Sequence, residues 1–366
     1  MSAYSVRTAS LADDPGILAL LGAPQPSTGL TLGFERAPSY FLSAQVSHEQ
    51  PDIVVATLRN GHDDVVGVFN IGRRQVFVNG HREPVAYGSD MRLAPAHQGG
   101  RMLLYFNRLL RERLGAAGWY QSVILSENQR SQGTFAQGGR AGLPVYHLHG
   151  KVITSTLTAC HLPATGTHEV RAATSADVPA MNAFVEQMAA HYQFLPAYDF
   201  AGVLRGEPYF RGLAISDFQL VYRGGELVAL GGLWRQKTFK QTRVLAYRPV
   251  LALLRPFYNL WARWRGGLQL PQAGGLLDYV MAHSPLCAPD DLPAFAALLQ
   301  ALWKALQASG GQALCLSLAD NDPRREVLRH CRQHVITGCH FLASYQDEAL
   351  PVLEPSRTSY FECGRL

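Results

Sequence analysis

Residues 86–114, AYGSDMRLAPAHQGGRMLLYFNRLLRERL, combine a strand, a glycine-bearing turn and an amphipathic helix, which is the geometry of an anion-binding site. Gln98, Gly99 and Gly100 form the hinge, and glycine lets the backbone turn tightly and approach a ligand closely. The first amides of the following helix have no intrahelical acceptors, and phosphate is their natural occupant. Arg101 adds a fixed charge with a forked set of donors. An ordinary strand-to-helix turn would use the same residues, because a two-glycine turn alone is a weak signal.

The neighbouring elements set the turn. Residues 86–93 are strand-like and Pro95 closes them. From Met102 the apolar residues Leu103, Leu104, Phe106, Leu109, Leu110 and Leu114 fall at helical spacing, leaving Arg108, Arg111 and Arg113 mostly outside. The same kind of pattern occurs twice along the chain. Residues 4–21, YSVRTASLADDPGILALL, return in outline at 168–185 as HEVRAATSADVPAMNAFV, each a strand, a polar turn and a helix. Asp14 and Asp177 stand ahead of Pro15 and Pro179 at the two helix starts. Residues 53–58 and 65–71 read as a hairpin around NGHDD, and 218–222 and 227–234 repeat it around RGGE. A linker, PATGT, lies between the copies.

The stretch PAHQGGRML resembles the phosphate loop of the GCN5-related N-acetyltransferases, with Gln98 in its first position. Arg101 and Leu103 stand where that family prefers small residues. After the next strand, residues 121–126, NQRSQGTFAQGG is similar to the family's Asn-containing motif at Asn128, Ser131, Phe135 and Gly139. ALCLSLADNDPRREVLRHC late in the chain resembles the same region, so that Asn321 answers to Asn128. The fold expected is therefore α/β, two tandem domains of this kind, each a mixed and mostly antiparallel sheet flanked by helices. The first spans 1–160 and the second 168–366, with a basic and aromatic insertion at 237–272.

The resemblance implies acyl transfer from acetyl-CoA or another acyl-CoA to a small-molecule amine, by direct attack on the thioester and without a metal; the alternative is a non-catalytic acyl-CoA sensor or peripheral membrane adaptor. It implies that the strand backbone at Met91, Arg92 and Leu93 pairs with the pantetheine arm and that one amide there polarises the carbonyl. It places the pyrophosphate on amides of Gln98, Gly99, Gly100, Arg101, Met102 and Leu103, with Asn128 and Phe135 bordering the arm. Asp90 sits where similar enzymes often place a carboxylate and is the candidate general base, or else makes a strand-end hydrogen bond. Glu127 is a second candidate, or a solvated strand end. The family's usual acid is a tyrosine at the position of Phe135, which offers no hydroxyl. Tyr146 is a substitute if it is not simply a structural strand tyrosine, and water is the remaining route. Glu35, Arg36, Tyr40 and Phe41, in LTLGFERAPSYFLS, are candidates to line the acceptor pocket, or form a surface turn before a short helix.

The second half differs at the loop. LLDYVMAHSPLCAPDDLPAFAALLQALW has no glycine hinge and carries Asp290 and Asp291 at the helix start, where carboxylates satisfy the free amides and repel a pyrophosphate. It is expected not to bind cofactor and to wall the acceptor site. Between Glu226 and Asp278 no acid occurs, while Arg235, Lys237, Lys240, Arg243, Arg248, Arg255, Arg263 and Arg265 accumulate beside aromatic residues. LAYRPVLALLRPFYNLWARWRGG reads as one or two proline-interrupted helices serving as a packing or dimer contact, a lid, or a membrane-surface contact through 247–265. It is too short and too charged to span a bilayer.

At 366 residues the chain suggests two domains, and 47% hydrophobic against 17% charged residues suits a packed protein. A net charge of +5 is too mild to argue for nucleic acid. The six cysteines are scattered, which reads as free thiols and a cytoplasmic protein, and the N-terminal residues read as neither a secretory signal nor a span. His147 and His149 alternate on a strand, and His330 and His334 have the spacing of one helical face, but neither pair has a third ligand nearby in sequence.

Overall fold

The computed structural model describes residues 4–26, 30–59, 64–98, 101–115, 118–128, 142–162, 168–345 and 350–366. The first half runs β1 (Tyr4–Thr8), α1 (Asp14–Leu21), β2 (Gln25–Pro26), β3 (Leu30–Glu35), α2 (Tyr40–Ser47), β4 (Ile53–Leu58), β5 (Val65–Val78), β6 (His81–Leu93), α3 (Met102–Leu114), β7 (Trp119–Leu125) and β8 (Val145–Cys160). The second runs β9 (Glu169–Ala172), α4 (Val178–Met188), β10 (Tyr192–Gln193), β11 (Leu195–Pro196), α5 (Ala201–Leu204), β12 (Phe218–Arg223), β13 (Glu226–Trp234), β14 (Gln241–Tyr247) and α6 (Pro249–Arg265). It continues with β15 (Val280–Cys287), α7 (Leu292–Ala308), β16 (Leu314–Ala319), α8 (Arg325–Leu328), β17 (Cys331–Ser344) and β18 (Thr358–Ser359).

One mixed, mostly antiparallel sheet runs through both halves in the order β1-β4-β5-β6-β7-β17-β8-β16-β15-β13-β12-β9. Read from either end, the order is the same sequence of elements, and the strand completing each half comes from the other. β17 lies against β7 and β8 lies against β16, and β17 and β8 pair with each other along their length. Helices cover both faces, which explains why IVVATL in β4 shows no alternation of apolar and polar residues. Ile53 and Val55 pack with Ile17, Leu21 and Tyr40 from α1 and α2 on one face. Val54 and Ala56 pack with Met102, Phe106 and Leu110 of α3 on the other.

The repeat extends to individual hydrogen bonds. Arg7 grips Asp13 with two bonds of 2.7 and 2.8 Å, and Asp13 Oδ2 accepts from the Ser10 amide and hydroxyl at the start of the helical segment. Arg171 grips Asp177 at 2.8 and 2.6 Å, and Asp177 accepts from the Thr174 amide and hydroxyl. The acid matching Asp177 is thus Asp13 rather than Asp14, because the cap is fixed by its partners and not by distance from the proline. Asp14 instead accepts the Tyr40 amide at 2.8 Å and ties α2 to α1.

Two other expectations change, and a third is narrowed to one of its alternatives. Cys160 and Cys331 form a disulfide, being register partners on β8 and β17, so not all thiols are free. His334 lies on strand β17 and His330 on the turn before it, because the short helix α8 ends at Leu328. The insertion is one continuous helix, α6, with Pro256 inside it, preceded by β14, which pairs with β3 of the first half.

Because each half closes with the other's strand, neither sheet can melt while its neighbour stays intact. Urea unfolding followed by tryptophan fluorescence and by far-ultraviolet circular dichroism is expected to give coincident midpoints. Two separated transitions would show that the halves are energetically independent.

Candidate functional site

β6 and β7 run parallel but pair only at Tyr87 and Gln121. Beyond that pair the strands part, opening a wedge between residues 88–93 and 122–128. Asp90 stands inside it at a bulge, where the β5 to β6 register shifts between Val68 and Asn70. Its φ of 52° is in the left-handed region, which Asp tolerates better than most side chains. A bulge takes its residue out of the ladder and re-aims the backbone. Met91 and Leu93 pack their side chains against the α3 core, so a ligand in the wedge would meet their backbone. Burial draws the pKa of half-buried Arg92 down, against the pull of Asp90.

The helix α3 begins one residue after exposed Arg101, with Met102 buried and Leu103 half-buried, so these two would offer a ligand their amides. Gln98 is engaged internally. Its side-chain amide donates to the Leu93 carbonyl at 2.9 Å and its backbone amide to Pro95 at 3.4 Å, which ties the loop to the strand end. Gly99, Gly100 and Phe135, with Ser131 and Gly139, lie outside the described residues.

Two of the four acceptor-side candidates, Arg36 and Tyr40, converge on Asp90. The Tyr40 hydroxyl donates to Oδ2 at 3.1 Å and Arg36 Nη2 to Oδ1 at 3.4 Å. Burial, then Asp90 itself, hold the Tyr40 pKa well above the ordinary tyrosine value, so Tyr40 stays the donor. The Asp90 side chain keeps 21% of its exposure. Lys240, counted in the sequence only as one of a run of cations, is buried against the last residues of the chain and feels the charges of Arg36 and Asp90. Its Nζ donates to the carbonyl oxygens of Gly364 at 3.0 Å and Leu366 at 3.5 Å. Burial first, and then the Arg36 guanidinium, bring its pKa down to about 7, with Asp90 opposing.

The remaining candidates stand elsewhere. The Glu35 carboxylate is taken by Arg243, at 2.6 and 2.9 Å, and clamps β3 to β14 rather than facing the wedge. Phe41 packs against the core under α1. Glu127 and Asn128 are exposed on the turn after β7. Tyr146 lies in the core of the first half with its hydroxyl on that of Tyr120, and burial raises its pKa above the ordinary value. His147 and His149 line a different cavity of about 400 Å³, beside Asp320 and Arg357, whose walls include none of the Asp90 cluster.

The second half contains the equivalent wedge. β15 and β16 pair in parallel at Met281 and Cys315 and then part. At one constant offset, Tyr87, Asp90 and Gln121 become Met281, Ser284 and Cys315, and Ser284 also has a positive φ, 43°. Asn128 becomes Asp322, one residue on from the expected Asn321, and both residues close an i to i+3 turn. Here the wedge is filled by the chain itself. Glu362 Oε2 accepts the Ser284 amide at 2.7 Å, and the buried Arg365 side chain donates to Val46 and Tyr209 carbonyls. The helix start is occupied too, since Asp291 Oδ1 accepts the Ala294 amide at 3.2 Å.

The depressed Lys240 pKa has a signed consequence. The folded value near 7 lies below the ordinary 10.5, so the unfolded chain binds more protons between them and stability rises with pH across that window. The urea midpoint of the wild type, relative to that of Lys240→Met, is expected to climb from about pH 7 to about pH 10 and to be flat at lower pH. A difference that is constant throughout would mean that Lys240 titrates normally.

No family model and no curated protein matches the sequence. Solved structures do. A GCN5-related N-acetyltransferase from Sphaerobacter thermophilus aligns with a TM-score of 0.58 at 14% identity, covering 98% of this chain and 99% of that one. Saccharomyces cerevisiae N-myristoyltransferase with bound myristoyl-CoA aligns with a TM-score of 0.59 at 9% identity, covering 99% of this chain and 88% of that one. A GCN5-related N-acetyltransferase from Anabaena variabilis aligns with a TM-score of 0.50 at 11% identity, covering 93% and 72%. With the two parted strand pairs, the paired bulges and the helix set after each, the chain has the fold of the GCN5-related N-acetyltransferases, carried twice in one sheet.

Proposed function

We propose that the chain is an enzyme that transfers an acyl group from an acyl-CoA to a primary amine in the wedge of its first half. The observation that carries this reading is the carboxylate of Asp90, held by Arg36 and Tyr40 at a backbone bulge between two strands that have just parted. The backbone of Met91 to Leu93 would hold the pantetheine arm, and an amide at the bulge would stabilise the oxyanion that forms as the amine attacks. The amides at the start of α3, with Arg101, would hold the phosphates.

Asp90 takes the proton of the attacking ammonium, directly or through water, while Arg36 and Tyr40 keep the carboxylate in place. The new bond joins nitrogen to the acyl carbon, the carbon–sulfur bond breaks, and the thiolate recovers a proton from water. Tyr146 is not given this last role because its hydroxyl is used by Tyr120. The neighbour with bound myristoyl-CoA favours including long donors beside acetyl-CoA. The alternative reading, a protein that binds acyl-CoA without transferring the group, is supported by the Phe135 that stands where the family has its tyrosine.

The test is release of free coenzyme A thiol from acetyl-CoA and myristoyl-CoA in the presence of a panel of primary amines. Asp90→Asn is expected to lower kcat about 10²- to 10⁴-fold with little change in donor binding. Arg101→Glu is expected to raise the donor Kd at least about tenfold, since it reverses the charge at the phosphate site. Binding of a donor without amine-dependent thiol release would favour the reading as a non-catalytic acyl-CoA sensor, and unchanged kinetics in Asp90→Asn would remove its proposed role.

A further inference from the structure

The helix α6 is built with its polar side inward. Asn259 exchanges two hydrogen bonds with the backbone of Leu270, both 2.8 Å, and Arg255 donates to the same carbonyl at 3.3 Å. Ala262 is the buried side chain of the helix. These groups clip the helix onto the strap at 269–271 and consume its polar face. The opposite face is apolar and open. Leu253 is 73% exposed, Phe257 and Leu260 are each 70% exposed, and Trp264 is 79% exposed. Spaced by three or four residues, these side chains form one line along the helix. A monomeric protein rarely leaves so continuous an apolar stripe in water.

The charge around the stripe selects its partner. Arg248 opens the helix, and Arg263 and Arg265 stand one residue to either side of Trp264, all three exposed. Arg332 from β17 adds its guanidinium over the Trp261 ring at 5.0 Å. No carboxylate occurs from residue 227 to residue 277. A second copy docked symmetrically on this face would set these arginines against each other with no acid to pair them. A surface of anionic lipid headgroups supplies the complementary charge, and the aromatic and aliphatic stripe fits the boundary between headgroups and acyl chains. The helix lies on such a surface rather than crossing it, since no helix among the described residues is long and apolar enough to span a membrane.

We propose that α6 is an interfacial helix that seats the protein on bilayers rich in anionic phospholipid. Leu253, Phe257, Leu260 and Trp264 enter the acyl boundary, and Arg248, Arg263 and Arg265 meet the headgroups.

Co-sedimentation of the full chain with phosphatidylcholine vesicles, with and without phosphatidylglycerol, tests this. The wild type is expected to pellet with the anionic vesicles alone, less so as salt is raised, with a blue shift of tryptophan emission. Arg263→Ala with Arg265→Ala is expected to weaken vesicle partition about thirtyfold. Phe257→Ser with Trp264→Ser is expected to abolish it while leaving the thermal melt unchanged, because both side chains are already exposed. Failure to bind anionic vesicles, equal binding to neutral ones, or wild-type binding by the serine variant would each overturn the proposal. A dimer in sedimentation velocity that the serine variant dissolves, without vesicle binding, would assign the face to a second copy instead.

Discussion

Two parallel strands that pair at one place and then part leave a row of backbone donors and acceptors facing each other across a gap. Buried backbone groups need partners, so such a gap is stable only if something completes it. The chain creates the gap twice, past Tyr87 and Gln121 and past Met281 and Cys315. In the second half the completion is internal: Glu362 presents a carboxylate oxygen to the Ser284 amide, and burial raises the Glu362 pKa. In the first half the residue at the corresponding bulge is Asp90, whose own carboxylate is held from the side by Arg36 and Tyr40. The two wedges share a backbone geometry and carry different residues at the bulge.

The exchange of closing strands makes this asymmetry possible. With β17 between β7 and β8, the tail that follows β17 is delivered back toward the centre, where Glu362 and Arg365 are buried against both halves. Arg365 reaches Val46 on α2 and Tyr209 in the second half, and Lys240 reaches the Gly364 carbonyl from the loop ahead of β14. The Glu35 to Arg243 clamp and the Gln241 side chain on Ala37 complete the join. The segment that carries Arg36 and Tyr40 to Asp90 is therefore braced on either side by residues of the second half.

Much of this was legible in the sequence because it depended on local patterning. The strand, turn and helix at 86–114, the hairpins and the doubled start of each half were read from periodicity and turn residues, which act over a few positions. What depends on register between distant strands was not legible. The Cys160 to Cys331 bond, the shift from Asn321 to Asp322 and the placement of His334 on a strand all follow from which strand lies beside which. Arg36 and Tyr40 were picked as acceptor residues by their types, and they do meet at Asp90. Glu35, adjacent in sequence, points to the other side of its strand and pairs with an arginine from the second half. Lys240 carried no distinguishing sign, since its surroundings are the chain's last residues.

The most direct measurement is hydrogen exchange of the full chain, followed by mass spectrometry, with and without a saturating acyl-CoA. If the first wedge is the ligand site and the second is closed by its own tail, protection will rise across residues 86–104 and stay unchanged across 280–291. Protection at 280–291, or no change in either segment, would contradict the account.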